Sequence, residues 1–547
     1  MGLWDELTRG KNLSHEVWEW DGDDFRRTTW EGLVSDSRRV AAGLRKRGIG
    51  PGSIVPAILS NGPDVSPGYM GVWFAGATIA SLPIIARGMS LPNYTSQLTQ
   101  LCQLLDAELL LVEERFMPFL PDSAELGVEL VGYHSLVETG ELGLVEPPPL
   151  DQTIFIQFSS GTTGEPRGVK LSGQAIETQM AALMERFEID PTRDTGYMWL
   201  PKSHDMGFFG GSLLAWYSGM RGVKATPERF LESPRSWFDD CARFDVTVTA
   251  GPPFAVDMAA RAERVRPGDE ALSIRICLVG AEPVDWDILQ NAASVFAPRG
   301  IGIEIFTSAY GLAEATLGVT VGDLTTPPGF VDIDTNSFLD GVIKEVADDE
   351  SSRMRLVSAG TPLANTEIRC EGAIGEIVVK SPSLASGYMG GEKRGNGRLE
   401  NGELWTGDIG FIHDGQLYVS GRSDDLLIIG GRNVHVHDVE ANLSQEREIR
   451  KGNCAIVATS HSGRKGVGLV AELTDGVCDH DELAVRLRRM SMESAGVPIT
   501  DFVFLPRRTF PKTPSGKPQR YRCRQILSES DTGTRVSLRT QQGQVGQ

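Results

Sequence analysis

Four stretches of the chain share one pattern, an unbroken apolar run rich in β-formers that stops abruptly at small or polar residues. They are TIFIQFSSG (153–161), VTVTAGPP (246–253), IRICLVGAEP (274–283) and IEIFTSAYG (303–311). Strands covered on both faces read this way, whereas half-exposed strands alternate. Between them, segments such as 178–187 and 284–296 carry apolar positions at helical spacing. The pattern predicts an α/β fold with largely parallel sheets, whose ligands bind outside the carboxyl ends of the strands, where the small-residue clusters fall. Further on, 402–428 predicts short antiparallel strands with turns at 413–415 and 421–424. Amphipathic helices at 437–449 and 479–492 flank strands around Ala455 and Leu469. These predict a small C-terminal α+β domain of about 110 residues. The stretch from Ser528 to Gln547 is polar and is expected to be disordered.

Length and charge set limits on this picture. A chain of 547 residues exceeds one ordinary core, so two or three domains are expected. Its seven cysteines are scattered without a CxxC pair and are odd in number, which suggests neither a disulfide framework nor a structural zinc site and fits a reducing cytoplasm. Asp5 and Glu6 stand where a secretory signal would need an apolar core, and Glu6 also breaks a myristoylation pattern. The one long uncharged stretch, 65–86, is interrupted by Pro67 and Pro83, which favours a buried helix running into a strand over a membrane span. A formal charge of −20 argues against nucleic-acid binding. Seven basic residues with no acidic one between them occupy 507–524, a solvated edge or a phosphate-handling patch.

The chemistry concentrates in FSSGTTGEPRGV (158–169). Gly161, Gly164 and Gly168 let backbone N–H groups approach a ligand, and Ser159, Ser160, Thr162 and Thr163 add hydroxyls, so a phosphate chain is the natural guest; an ordinary surface turn is the plainer reading. The spacing is not that of a Walker A loop. With it in order along the chain stand LPKSHDMG (200–207), GAEPV (280–284), YGLAEAT (310–316), TGD (406–408), GRSDDLLIIGGRN (421–433) and PKTPSGK (511–517). Together these resemble the adenylate-forming superfamily, which includes acyl-CoA synthetases, luciferases and peptide-synthetase adenylation domains.

The resemblance implies a large N-terminal adenylation domain (1–423) and a small mobile C-terminal lid (424–547) with its polar tail from about 528. It implies that a carboxylate attacks the α-phosphorus of ATP to give acyl-AMP and pyrophosphate. Lys517 is then expected to bridge the carboxylate and α-phosphate, and Glu314 to hold Mg²⁺ on the triphosphate. Ser160, Gly161, Thr162, Thr163, Gly164 and Arg167 are expected on the phosphates. Gly280, Ala281, Glu282, Tyr310 and Gly311 would form the adenine slot, with Asp408 and Arg422 at the ribose. His204 would lie near the acyl carboxylate, Asp424 at the hinge and Gly431 along the thiol tunnel. Each has a plainer alternative: a turn role for Asp408, a core place for Tyr310, a loop place for Lys517, and a structural His204–Asp205 pair. His435 and His437 form an HxH that lacks an indicated third metal ligand.

Two departures refine the resemblance. Arg167 stands where the family loop has lysine, keeping charge but substituting a planar fork. Ala313 replaces a frequent threonine, and alanine in YGxAE together with a polar stretch at about 328–355 resembles the fatty acyl-AMP ligases and their insertion. That subfamily implies a hydrophobic or fatty acid as substrate and transfer of the acyl group to an acyl carrier protein. The alternatives are an acyl-CoA synthetase using coenzyme A and a non-catalytic nucleotide-binding homologue. Phe208, Phe209, Leu213, Leu214 and Trp216 could line an acyl pocket or belong to the core.

Overall fold

The computed structural model describes residues 2–10, 12–85, 91–139, 142–159, 167–339, 341–347, 353–390, 397–422, 426–429, 432–461, 464–476, 479–495, 497–512, 518–528 and 533–537. By its internal contacts the chain divides into two compact units, the larger extending to Ser420 and the smaller holding Gly421 onward.

Besides a five-stranded antiparallel sheet, two mostly parallel sheets make up much of the larger unit. One runs, in spatial order, Gly387–Met389, Arg167–Ser172, Thr153–Ser159, Thr78–Leu82, Ile54–Ile58, Leu109–Val112 and Glu129–Gly132. Its first three strands pair antiparallel in turn, and from Thr153–Ser159 onward the pairs are parallel. The other places Phe306–Gly311, Ile276–Val279, Val248–Gly251, Thr195–Met198 and Arg221–Lys224 side by side in parallel. All four apolar runs are therefore strands whose carboxyl ends share an edge with their sheet neighbours, as a doubly wound α/β fold requires. The uncharged stretch is the buried helix Val65–Phe74 followed by the strand Thr78–Leu82. Among the described residues no helix is long and apolar enough to cross a membrane.

Helix starts lie where capping side chains allow. Ser172 caps Gly173–Arg186 by accepting from Ala175 N–H at 3.1 Å, so that helix begins earlier than the apolar spacing at 178–187 indicates. Asp285 caps Trp286–Phe296 by accepting from Asp287 N–H at 2.8 Å. In the antiparallel sheet, Glu403–His413 and Gln416–Arg422 are joined across Asp414 and Gly415, both at positive φ (48° and 74°), the backbone a two-residue hairpin turn needs.

The polar stretch near 328–355 forms its own hairpin, Phe330–Asp334 paired with Arg353–Val357. Val331, Ile333 and Phe338 from this region close a small core with Phe411 and Tyr418, whose rings stack at 5.1 Å.

The smaller unit carries a four-stranded sheet, Ile449–His461, Arg464–Leu473, Ile499–Leu505 and Thr534–Ser537, with helices Val436–Leu443, His480–Ala495 and Arg520–Ser528. The last strand corrects the expectation of a disordered tail from Ser528. Thr534–Ser537 pairs antiparallel with Ile499–Leu505, and its one apolar residue, Val536, is buried in the core of the unit. The basic patch is also corrected in part. Arg520 is buried, paired with both carboxylate oxygens of Glu440 and donating to the Ile456 carbonyl at 3.1 Å. It is a structural ion pair, not a solvated charge.

Candidate functional site

The adenine candidates occupy adjacent strand ends. Gly280 follows the strand Ile276–Val279, and a Cβ there would lie 2.7 Å from the Ala309 carbonyl oxygen, so only glycine lets the turn approach the strand Phe306–Gly311. Ala281 takes the left-handed conformation (φ 67°), uncommon for a non-glycine residue, and Glu282 is half-buried beside it. Tyr310 is only partly buried. Its ring rests on the cluster around Ala315, Val319 and Leu404, and its hydroxyl donates to Asp408 Oδ2 at 2.6 Å.

Asp408 is presented by an irregular strand. Thr406 Oγ1 donates to the Ile377 carbonyl at 2.8 Å and accepts from Asp408 N–H at 3.0 Å, while Gly407, at φ 72°, donates to Glu376 Oε1 at 2.9 Å. The local register shift turns the carboxylate toward the Tyr310 strand. Arg422 ends the strand Gln416–Arg422.

Glu314 sits in a tight reversal. Leu312 N–H donates to the Leu317 carbonyl at 2.9 Å, and a Cβ on Gly311 would fall 1.9 Å from that same oxygen. The reversal is closed by Thr316, a β-branched residue at φ 69°, whose buried hydroxyl donates to the Ser383 carbonyl at 2.7 Å. Such a residue costs about 1–3 kcal/mol of backbone strain and persists where its surroundings over-determine it. Tyr388 Oη lies 3.3 Å from Glu314 Oε1 and 3.0 Å from the Gly397 carbonyl. Sequence reading missed Thr316 and Tyr388. The available signal was GYM at 387–389, a three-residue strand pairing with Gly168–Lys170 just after the glycine-rich loop.

That loop joins the strands Thr153–Ser159 and Arg167–Ser172, whose last pair is Ser159 with Arg167. Ser160, Gly161, Thr162, Thr163 and Gly164 lie outside the described residues, as do Asp424, Gly431 and Lys517; so do the side chains of Arg167, His435 and His437. His204 Nδ1 is 2.7 Å from Asp205 Oδ1, so the neighbour pair is present, and the ring is about one-third exposed. Asp205 also caps the following helix through Met206 N–H at 2.7 Å. That helix, Met206–Leu213, is of π type, a form that recurs at functional sites.

The apolar segment after His204 resolves in favour of the core. Phe208, Phe209, Leu213, Leu214 and Trp216 are fully buried, with Phe208 stacked on Phe155 at 4.5 Å and edge-on to Tyr69 at 4.9 Å. A separate small cluster lies at the strand ends: Met198, Met206 and Ala250, against the half-buried Leu200, Leu278, Ala281 and Leu317. It touches the Gly280–Glu282 turn through Ala281 and follows the Glu314 reversal through Leu317.

Residues 9–389 match the family model described as AMP-binding enzyme, and the chain belongs to that family. It is 31% identical to the long-chain-fatty-acid–AMP ligase FadD28 of Mycobacterium tuberculosis, over 68% of this chain and 69% of that one. It is 30% identical to a protein of the same organism named as the fatty-acid–CoA ligase fadD25, over 69% and 70% of the two chains. In fold it is similar to a structure from studies of fatty acyl-adenylate ligases from E. coli and L. pneumophila, with a TM-score of 0.84, 23% identity and coverage of 96% and 97%. The chain is an acid ligase of the adenylate-forming type.

Proposed function

We propose that this protein activates a hydrophobic carboxylic acid with ATP, forming acyl-AMP and pyrophosphate, and passes the acyl group to the thiol of an acyl carrier protein. The observation that carries the reading is the Tyr310–Asp408 hydrogen bond, which joins an aromatic ring suited to a base with a carboxylate suited to a ribose diol beside the Gly280–Glu282 turn. In this reading the acid carboxylate attacks the α-phosphorus while the bond to the β-phosphate oxygen breaks, and Lys517 neutralises the charge that develops. The loop 160–166 with Arg167 receives the β- and γ-phosphates. The Met198–Met206–Ala250 cluster supplies the apolar surface for the acid.

Glu314 fits a hard cation, because its carboxylate is half-buried at the tip of the reversal and oriented by the Tyr388 hydroxyl. Mg²⁺ held there and by the triphosphate would neutralise phosphate charge. Residues 1–423 act as the adenylation domain and 424–547 as the lid, with Asp424 as hinge. The free thiols of Cys102, Cys241, Cys277, Cys370, Cys454 and Cys523 suit a cytoplasmic location. The relative named as a CoA ligase favours a second reading, in which coenzyme A is the acceptor and Gly431 lines its path.

The test is incubation with ATP, Mg²⁺ and a panel of carboxylic acids, with acyl-AMP and thioester followed by mass spectrometry with and without coenzyme A and carrier protein. Acyl-AMP with slow acyl-CoA formation is expected. Acyl-CoA appearing as fast as adenylate would select the second reading, and no pyrophosphate release with any acid would overturn both. Lys517→Ala is expected to abolish adenylate formation with the fold intact.

A further inference from the structure

Two lysines and one glutamate are buried together beneath the His204 segment. Lys202, Lys224 and Glu19 are 1%, 2% and 1% exposed. Glu19 Oε1 lies 3.5 Å from Lys202 Nζ and 3.3 Å from Lys224 Nζ, and it accepts from the Ser66 hydroxyl at 2.6 Å. Lys202 Nζ also donates to the Gly62 carbonyl at 3.3 Å, and Lys224 Nζ to Ser66 Oγ at 3.0 Å. Glu19 thus contacts two ammonium groups in the interior, while Glu113 and Asp64 act on Lys202 from farther off. Burial raises the Glu19 carboxyl, but Lys224 and Lys202 outweigh it and hold Glu19 below the usual range. Burial lowers both lysines despite Glu19, with Lys224 pushed down to about 8. Uncompensated buried charge is costly, and one lysine would suffice for a structural pair. The second calls for a local explanation.

Lys202 supplies one, because the segment it sits on is fastened on nearly every side. Asn61 Nδ2 reaches the carbonyls of Trp199 (3.3 Å), Leu200 (2.9 Å) and Ala225 (2.9 Å), while its Oδ1 accepts from Lys202 N–H at 2.9 Å. Gln157, on the strand that leads into the glycine-rich loop, donates to the Ser203 carbonyl at 2.7 Å. His204 N–H donates to the Pro201 carbonyl at 3.0 Å, and the His204 carbonyl accepts from Phe208 at 2.8 Å. Backbone clamps hold the flanks of residue 202, and its ammonium is the only anchor of this segment that reaches the interior as a charge among the contacts described. Lys224, by contrast, points from the neighbouring strand and lies 5.0 Å from the Trp30 ring.

We propose that Lys202 is a positioning residue for His204, its buried ammonium tying residues 199–204 to Glu19 and Gly62 so that the His204 ring is held steady at the carboxyl end of the strand Thr195–Met198. This rests on the acid-activating reading above. A displaced ring costs rate through lost alignment of the acid, with little change in nucleotide binding, because the phosphate and adenine groups come from other segments.

The experiment compares Lys202→Met with Lys224→Met by pyrophosphate release at pH 7. Each variant removes one ammonium and leaves Glu19 paired with the other, so a merely structural cluster predicts equal effects. We expect Lys202→Met to lower kcat about tenfold to a hundredfold and raise KM for the acid, with KM for ATP within about twofold. Lys224→Met is expected to keep all three within about twofold. Should Lys202→Met be insoluble, Asn61→Ser, which releases the same segment while leaving the charges in place, is expected to show the same split. Matching kinetics of the two lysine variants, or an unshifted kcat in a folded Lys202→Met or Asn61→Ser protein, would overturn the assignment. Absence of pyrophosphate release in the unaltered protein would instead overturn the acid-activating reading.

Discussion

The Tyr310 hydroxyl donates to Asp408 Oδ2 at 2.6 Å, linking the end of a parallel-sheet strand to a bulge in the antiparallel sheet, 98 residues away along the chain. A hydrogen bond to a carboxylate is worth about 1.5–3 kcal/mol, enough to fix how that carboxylate faces a ligand. Tyr310→Phe keeps the ring and removes this restraint. KM for ATP should rise about tenfold and KM for the acid stay within about twofold, with little change in melting temperature since both groups are part-exposed. Isothermal titration with a non-hydrolysable ATP analogue checks it. Unchanged affinity would remove Asp408 from the nucleotide site.

Tyr388 makes a second restraint, on Glu314. Its hydroxyl lies between Glu314 Oε1 and the Gly397 carbonyl, and a Cβ on Gly397, at φ 85°, would come within 3.1 Å of that carboxylate oxygen. Tyr388→Phe should therefore raise the Mg²⁺ concentration for half-maximal pyrophosphate release several-fold while leaving KM for the acid unchanged. Gly397→Ala should do the same and add backbone strain of about 1 kcal/mol. A Mg²⁺ titration at fixed ATP measures both. A Mg²⁺ dependence unchanged from that of the unaltered protein in both variants would separate Glu314 from the metal.

How much of this was readable beforehand depended on range. The parallel strands were legible because strands buried on both faces are nearly continuous apolar runs, as IFI (154–156) and ICLV (276–279) are. The motifs SSGTTGEPRG, GAEPV and YGLAEAT were legible because each falls where such a run stops. What stayed hidden was held by partners far along the chain. Nothing near Thr316 announces that Ser383 will hold it in a strained turn, and nothing near Glu19 announces two buried lysines. The strand Thr534–Ser537 has a single buried apolar residue, too little for a period. The segment after His204 was ambiguous by nature, since large apolar side chains suit a pocket and a core equally. Only the close aromatic packing around Phe208 decides it.

The hairpin Phe330–Asp334 with Arg353–Val357 is tied to the helix Trp286–Phe296, which follows the Gly280–Glu282 turn. Arg355 lies 4.0 Å over the Phe330 ring and grips Asp332 with two bonds of 2.8 and 2.6 Å, while Phe330 packs on Trp286 at 4.7 Å. The stack uses the flat guanidinium twice, as a fork and as a lid, so lysine cannot replace it. Arg355→Lys and Arg355→Ala should both loosen the hairpin, speeding tryptic cleavage after Lys344 several-fold in native protein. Arg353, whose described approach to Asp332 is 3.8 Å, beyond hydrogen-bond reach, serves as the comparison, and Arg353→Ala should have the smaller effect. Equal cleavage rates in all four proteins would refute the stack as the fastening.

We expect Lys224 to make stability rise with pH. Burial, opposed by Glu19 and reinforced by Lys202, lowers its pKa to about 8, whereas an unfolded lysine titrates near about 10.4. Between those values the unfolded chain binds more protons, so the folded form gains stability as pH increases through the window; below about 8 the penalty is constant. At pH 7 the folded protein therefore carries the cost of a buried ammonium, net of the Lys224 contacts with Ser66 and Trp30. Lys224→Met removes the surplus charge and leaves Glu19 paired with Lys202. It should melt a few degrees above the unaltered protein at pH 7, and the gap should shrink at pH 9.5, where Lys224 is already neutral. Thermal scans at the two pH values decide it. A less stable variant at pH 7, or a gap that does not change with pH, would show that the buried ammonium carries no net cost.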